Sequence, residues 1–207
     1  MRSALLAAFL AVAACAAPGA PSSDRPSPAG SLQARPSRVS IAIGAEIDTL
    51  ATKFEGGNTF ASEFHFMTNS PLAIRNAQGI ASPLLAAELP SQDVGTWIVR
   101  PDGSMRTTWK IKPNAVWHDG QPVTSRDFAF ALRVYLDERV PVRDREPEQW
   151  MDRIEPIDDG SFVILWKRPY PWANELISRQ LEALPEHRMG GVYETADPEA
   201  FFHHSFW

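Results

Sequence analysis

Val39, Ile41 and Ile43 alternate with Ser40 and Ala42, a period of two that predicts a strand. From residue 44 to 95 turn formers are frequent and no period holds, although Leu84 to Leu89 reads as a short helix or turn. Trp97 to Val99 and Met105 to Lys112 predict two more strands. Between them, Arg100-Pro101-Asp102-Gly103-Ser104 has the Pro, Asp and Gly of a hairpin turn. In the second of these strands Met105, Thr107, Trp109 and Ile111 share one face, and Arg106, Thr108, Lys110 and Lys112 the other. The basic side chains therefore lie on a solvated sheet surface and do not form a binding patch.

Asp119-Gly120, within Trp117 to Gln121, predicts a tight turn. Thr124 is placed to cap a helix, with Asp127 three residues on to complete the cap and to complement the helix dipole. The helix that follows sets Phe128, Ala131, Leu132, Tyr135 and Leu136 on one face and stops near Val140-Pro141. Residues 141–150 are charged and loop-like. Asp158-Asp159-Gly160 turns into Ser161 to Trp166, an apolar strand suited to burial on both faces. Pro169 to Trp172 breaks the pattern, and Ala173 to Leu184 reads as a helix ended by Pro185. The last residues, Phe201 to Trp207, are aromatic, which points to a chain that continues and to an apolar surface left exposed.

The N-terminus follows a different logic. Arg2 precedes an uncharged run of eleven residues, Ala4 to Ala14, too short to span a bilayer. A charged start, a short apolar stretch and small residues make a signal peptide over 1–14. Val12-Ala13-Ala14-Cys15 resembles the lipobox of bacterial lipoproteins, which implies a diacylglycerol on the Cys15 thiol and attachment to a membrane through that lipid. Seventeen of the twenty-two residues 16–37 are Ala, Pro, Ser or Gly. Such a segment buries too little apolar surface to offset its ordering entropy, so 15–37 reads as a lipidated Cys and a flexible tether. A folded body occupies 38–207.

The chain has 207 residues, 44% hydrophobic and 22% charged, with net charge −5. That balance excludes an electrostatic case for nucleic acid. Its single Cys, Cys15, excludes an intramolecular disulfide. No G-x-S-x-G, Walker A, G-x-G-x-x-G or H-E-x-x-H pattern occurs. His118 and Asp119 belong to the turn, and the adjacent His203 and His204 do not combine with His187 into a metal site if they lie in a strand. Glu46 and Asp48 share one loop and do not show the separation across a cleft that paired catalytic carboxylates need. No enzyme, cofactor or metal is expected.

Leu84 to Asp137 resembles the family-5 extracellular solute-binding proteins of ABC importers, the oligopeptide- and dipeptide-binding group. The match is densest from Ile111 to Phe130, through Trp117-His118-Asp119-Gly120, Pro122, Thr124 and Asp127-Phe128. Weaker matches are Glu46 to Leu50, which lacks the Pro usual after it, Pro83 to Glu88, and Leu184-Pro185-Glu186-His187. Lys112 stands where Arg is usual, and Asn114 where Gly is usual. The resemblance implies an α/β, two-lobed fold of the periplasmic-binding-protein type (type II, with an inserted subdomain), of which 38–207 would be the N-terminal part of lobe I. It implies an exported monomer that captures peptides outside the cytoplasmic membrane and delivers them to an ABC importer permease. Other solutes such as a nickel chelate or an oligosaccharide, a sensing role, and a secreted hydrolase are the alternatives. Trp117, Asp119, Gly120, Thr124 and Asp127 are structural in this reading. A cleft-facing stretch is expected at Thr68 to Leu72, with Asn69, Ser70 and Pro71 as ligand contacts.

Overall fold

The computed structural model describes residues 40–44, 46–47, 49–54, 59–195 and 197–207. The chain divides between Ile41 and Ala42, and its elements all follow that point. They are α1 (Thr59–Thr68), β1 (Ala73–Arg75), β2 (Ala81–Pro83), β3 (Trp97–Val99), β4 (Met105–Lys110), α2 (Ser125–Leu136), a 3-10 helix (Glu148–Trp150), β5 (Met151–Asp158), β6 (Ser161–Trp166), α3 (Glu186–Glu194) and α4 (Pro198–Phe202).

Four strands form an antiparallel sheet in the order β3-β4-β6-β5, and β1 and β2 form a separate ribbon. The β3–β4 turn has Gly103 at φ 83°, a conformation that a side chain would strain. Alternation along β4 buries Met105, Thr107 and Trp109 and leaves Arg106 and Lys110 exposed. Thr107 is the polar member of that buried face. Its hydroxyl accepts from the Trp166 indole N–H at 3.0 Å and from that of Trp109 at 3.3 Å, so one oxygen satisfies two buried donors. β5 lies at a sheet edge, where Pro156 removes no ladder bond from a central strand and exposed Asp152, Arg153 and Glu155 discourage further pairing.

α2 starts at the expected cap. Asp127, 3% exposed, accepts from the Thr124 backbone N–H at 2.8 Å and from its hydroxyl at 3.3 Å. Ser125 Oγ donates to the Asp158 carbonyl at 2.6 Å, which ties the helix start to the β5–β6 turn. The helix buries two flanks. Phe128 and Leu132 join the sheet core, with Phe128 stacked 4.7 Å from Phe162. Phe130, Ala131, Val134 and Tyr135 join a second cluster with Phe54, Leu184, Met189 and Phe201. Beyond its end, Arg145 donates to the carbonyls of Tyr135, Asp137 and Val140, occupying acceptors that the helix C-terminus leaves open.

Several expectations need correction. Residues 40–43 form no strand, and Ile41 and Ile43 are exposed. Alternation makes a strand only where a sheet receives it. Ala173 to Leu184 is a series of turns, not a helix. Arg179 and Leu181 have φ of 64° and 49°, outside the helical region, and tertiary hydrogen bonds hold them there. The helix of this region, α3, begins after Pro185 instead. β6 is buried on one face only, with Phe162, Ile164 and Trp166 inside and Val163 and Leu165 half-buried. The terminal aromatics are packed: Phe201 is 3% exposed and, with Trp207, meets Phe54 edge-on at centroid distances of 6.3 and 5.2 Å.

Candidate functional site

The segment from Asn114 to Val123 doubles back on itself. Val116 bridges Pro122, the Trp117 N–H donates to Gln121 C=O at 2.7 Å, and the Gly120 N–H returns to Trp117 C=O at 2.9 Å. Gly120 has φ 85°, so the turn needs glycine there. The Asp119 carboxylate accepts from the Gln121 N–H at 3.1 Å and lies 2.9 Å from His187 Nε2 and 3.6 Å from Arg188 Nη1. His187 first, and then the Gln121 N–H, hold the Asp119 carboxyl below its ordinary pKa. The Trp117 indole N–H donates to Asp127 Oδ2 at 3.1 Å, and Asp127 Oδ1 accepts from the Glu186 N–H at 2.9 Å. Asp127 therefore joins the turn, the start of α2 and the start of α3. Trp117, Asp119, Gly120, Thr124 and Asp127 make one structural unit.

One wall of that unit faces a groove of about 340 Å³, closed on the other side by the end of α1 and the loop after it. Asn69, Ser70, Asn114, Trp117, His118 and Glu182 are among its polar and aromatic lining. Phe66, Met67 and Val116 form an apolar rim, exposed at 55, 62 and 60%. Pro71, by contrast, is buried and is not part of the lining. A second hollow of about 310 Å³ shares Thr68, Asn69 and His118 with the groove and adds Leu50, Arg188, Phe206 and Trp207. Trp117 and Phe206 meet edge-on at 5.9 Å between the two. Cys15 lies outside the described residues.

Glu182 links the groove to a buried polar cluster. Its Oε1 accepts from the Arg179 N–H at 2.6 Å and contacts His65 Nε2, whose ring places Nδ1 2.7 Å from Thr52 Oγ1. The Tyr135 hydroxyl donates to Glu182 C=O at 3.0 Å. Burial pushes the Tyr135 phenol well above its ordinary pKa, so it remains a neutral donor. Beside it, Lys53 donates to both oxygens of Glu148 at 2.9 Å and to the Arg179 carbonyl. Lys53 and Glu148 are 4% and 0% exposed. Glu148 also accepts from the Leu181 N–H. Burial raises the Glu148 carboxyl pKa, while Lys53 and that N–H oppose the rise. Lys53 and Glu148 are 95 residues apart in sequence, and no local pattern marks either as buried.

Among the described residues no three His, Cys, Asp or Glu side chains gather as a metal site, and no helix is long and apolar enough to cross a membrane.

Residues 83–203, more than half of the chain, match the family of bacterial extracellular solute-binding proteins, family 5 Middle, and the chain belongs to that family. Solved structures agree. The oligopeptide-binding protein from Thermus thermophilus, complexed with a pentapeptide, is 25% identical with a TM-score of 0.61 over 73% of this chain. Listeria monocytogenes OppA bound to peptide is 19% identical with a TM-score of 0.59 over 73% of this chain. AgaA from A. tumefaciens R10, in complex with agropinic acid, is 22% identical with a TM-score of 0.56 over the same share. The matches cover 25%, 31% and 28% of those chains, so this sequence spans less than a third of their length. No curated protein sequence matches. The mixed helix-and-sheet body described above is consistent with part of one lobe of the family fold.

Proposed function

We propose that this chain belongs to the substrate-binding component of an ABC importer, one that captures peptides outside the cytoplasmic membrane and hands them to the permease. The family match carries this reading, because it runs through the whole strand, turn, cap and helix unit, whose turn residues Asn114 to His118 line one groove wall. The likeness to a pentapeptide-bound protein at 25% identity supports peptide as the solute. Asn69 and Ser70 are the proposed ligand contacts of this wall. An extended peptide is recognised by main-chain hydrogen bonds, with its side chains in adjoining hollows. Closure around it follows only if the ligand gains contacts in the closed state that the open state lacks. The role is binding and delivery, with no chemical step.

Calorimetry on the full-length product of the reading frame, with a mixed di- to hexapeptide library, tests the assignment. Micromolar or tighter binding is expected. Binding of an oligosaccharide or a metal chelate with no peptide binding would keep the family and overturn the peptide.

Anchoring through Cys15 is part of the proposal and rests on Val12-Ala13-Ala14-Cys15 after the short apolar run. Expressed in a bacterium, the protein should incorporate labelled palmitate, and Cys15→Ser should abolish it. Equal labelling of the variant would remove the lipid anchor from the reading.

A further inference from the structure

We propose that the groove between Phe66 to Ser70 and Asn114 to Trp117 receives a positively charged group of the ligand, with the Glu182 carboxylate as its counter-ion. This rests on the peptide-binding reading above and adds the charge that the groove selects. Glu182 is the acidic residue of the lining, and among the described lining residues there is no Lys or Arg. Its side chain is 8% exposed. A cation that reaches it is largely desolvated, where a charge-assisted hydrogen bond is stronger than in water.

The carboxylate is also held in place before any ligand arrives. The Arg179 N–H and His65 both contact Oε1, and Tyr135 fixes the main-chain carbonyl of the same residue. A ligand ammonium would approach Oε2. An acceptor already fixed by its own partners loses little freedom on binding. Phe66 and Trp117 bring aromatic rings to the lining, and Asn69 and Asn114 bring side-chain amides. Both suit an ammonium or a guanidinium. An anionic group would meet Glu182 with no guanidinium or ammonium among these described walls. The nearest cation of the adjoining hollow, Arg188, is turned toward Asp119.

The charge could be the peptide's N-terminal ammonium or a basic side chain, and the probes separate the two. Calorimetry on the full-length product uses penta-alanine, its N-acetyl form, and N-acetylated alanine pentapeptides with Lys or norleucine at the centre. At least one charged probe should bind about tenfold more tightly than its neutral counterpart, the effect of one charge-assisted bond. Penta-alanine ahead of its acetyl form assigns the ammonium, and the Lys probe ahead of norleucine assigns the side chain.

Glu182→Gln, which keeps an acceptor for the Arg179 N–H, should erase that advantage, so that each charged probe binds no more tightly than its neutral counterpart. If it fails to fold, Phe66→Leu on the exposed rim should reduce the charged-probe advantage by a few-fold. Equal affinity for charged and neutral probes overturns the proposal and leaves peptide binding standing. An advantage that survives a folded Glu182→Gln, or Phe66→Leu where the first does not fold, overturns it as well. Binding of none of the four overturns the peptide reading and this proposal with it.

Discussion

Lys53→Met removes one charge from the most deeply buried ion pair described and leaves the other in place. Glu148, 0% exposed, loses two hydrogen bonds of 2.9 Å and, among the described residues, keeps only the Leu181 N–H as an outside partner. The Arg179 carbonyl loses a donor at the same time. Breaking a buried pair from one side costs about 3–5 kcal/mol, because the remaining charge stays desolvated. Against a domain stability of about 5–15 kcal/mol, that is a large share.

The deficit also has a pH signature. Burial already raises the Glu148 carboxyl pKa against the pull of Lys53, and loss of Lys53 raises it further. A carboxyl whose folded pKa lies above its unfolded value of about 4.3 favours the fold below that value and loses this contribution as pH rises through the folded pKa. The variant should therefore be closest to wild type near pH 4.5 and furthest from it at neutral pH. Urea unfolding at about pH 4.5 and about pH 7 measures both. In the double variant Lys53→Met/Glu148→Gln the amide oxygen still accepts from Leu181, and about 0.5–3 kcal/mol of the loss should return. A deficit below about 1 kcal/mol, a deficit independent of pH, or a double variant worse than the single would each refute the reasoning.

Three further outcomes follow from the fold. Thr124→Ala should cost about 1 kcal/mol of stability with ligand affinity in the folded state nearly unchanged, and lost affinity without lost stability would mean that this turn touches ligand. Asp127→Ala should cost about 1–3 kcal/mol more than Thr124→Ala in chemical unfolding, since it strands half-buried donors from Thr124, Trp117 and Glu186 together. Asp137 sits at the end of α2, where Arg139 first, and then the Tyr193 hydroxyl, hold its carboxyl well below the usual carboxylate range. A depressed folded pKa supplies stability above the unfolded value of about 3.9 that is lost as pH falls, so Asp137→Asn should lower the melting temperature at neutral pH and match wild type in strong acid. A melting-temperature gap that does not change with pH would refute that assignment.

What could be read from the sequence was what neighbours in sequence decide. The β3–β4 hairpin, the Asp119-Gly120 turn, the Thr124–Asp127 cap and the start of α2 all follow from residues within a few positions of one another, and the structure has them where the pattern puts them, although α2 ends at Leu136, short of the expected Val140-Pro141. The 173–184 segment shows the opposite case. Its composition suits a helix, but the Arg179 carbonyl is bound by Lys53 and the Leu181 N–H by Glu148. Those bonds reach across the chain and fix backbone angles that no helix allows. Propensity is worth tenths of a kcal/mol per residue, and burying Lys53 and Glu148 without partners would cost several. The same reasoning explains why Asn69 and Ser70 could be singled out as loop residues while Glu182 could not. Its place in the groove is set by His65 and the Arg179 N–H, and their positions depend on Thr52, Lys53 and Glu148 in turn. The cluster that overrides the local helix signal also sets the carboxylate in the groove wall. A change that loosens Lys53 and Glu148 should therefore weaken charged ligands more than neutral ones, before the fold itself is lost.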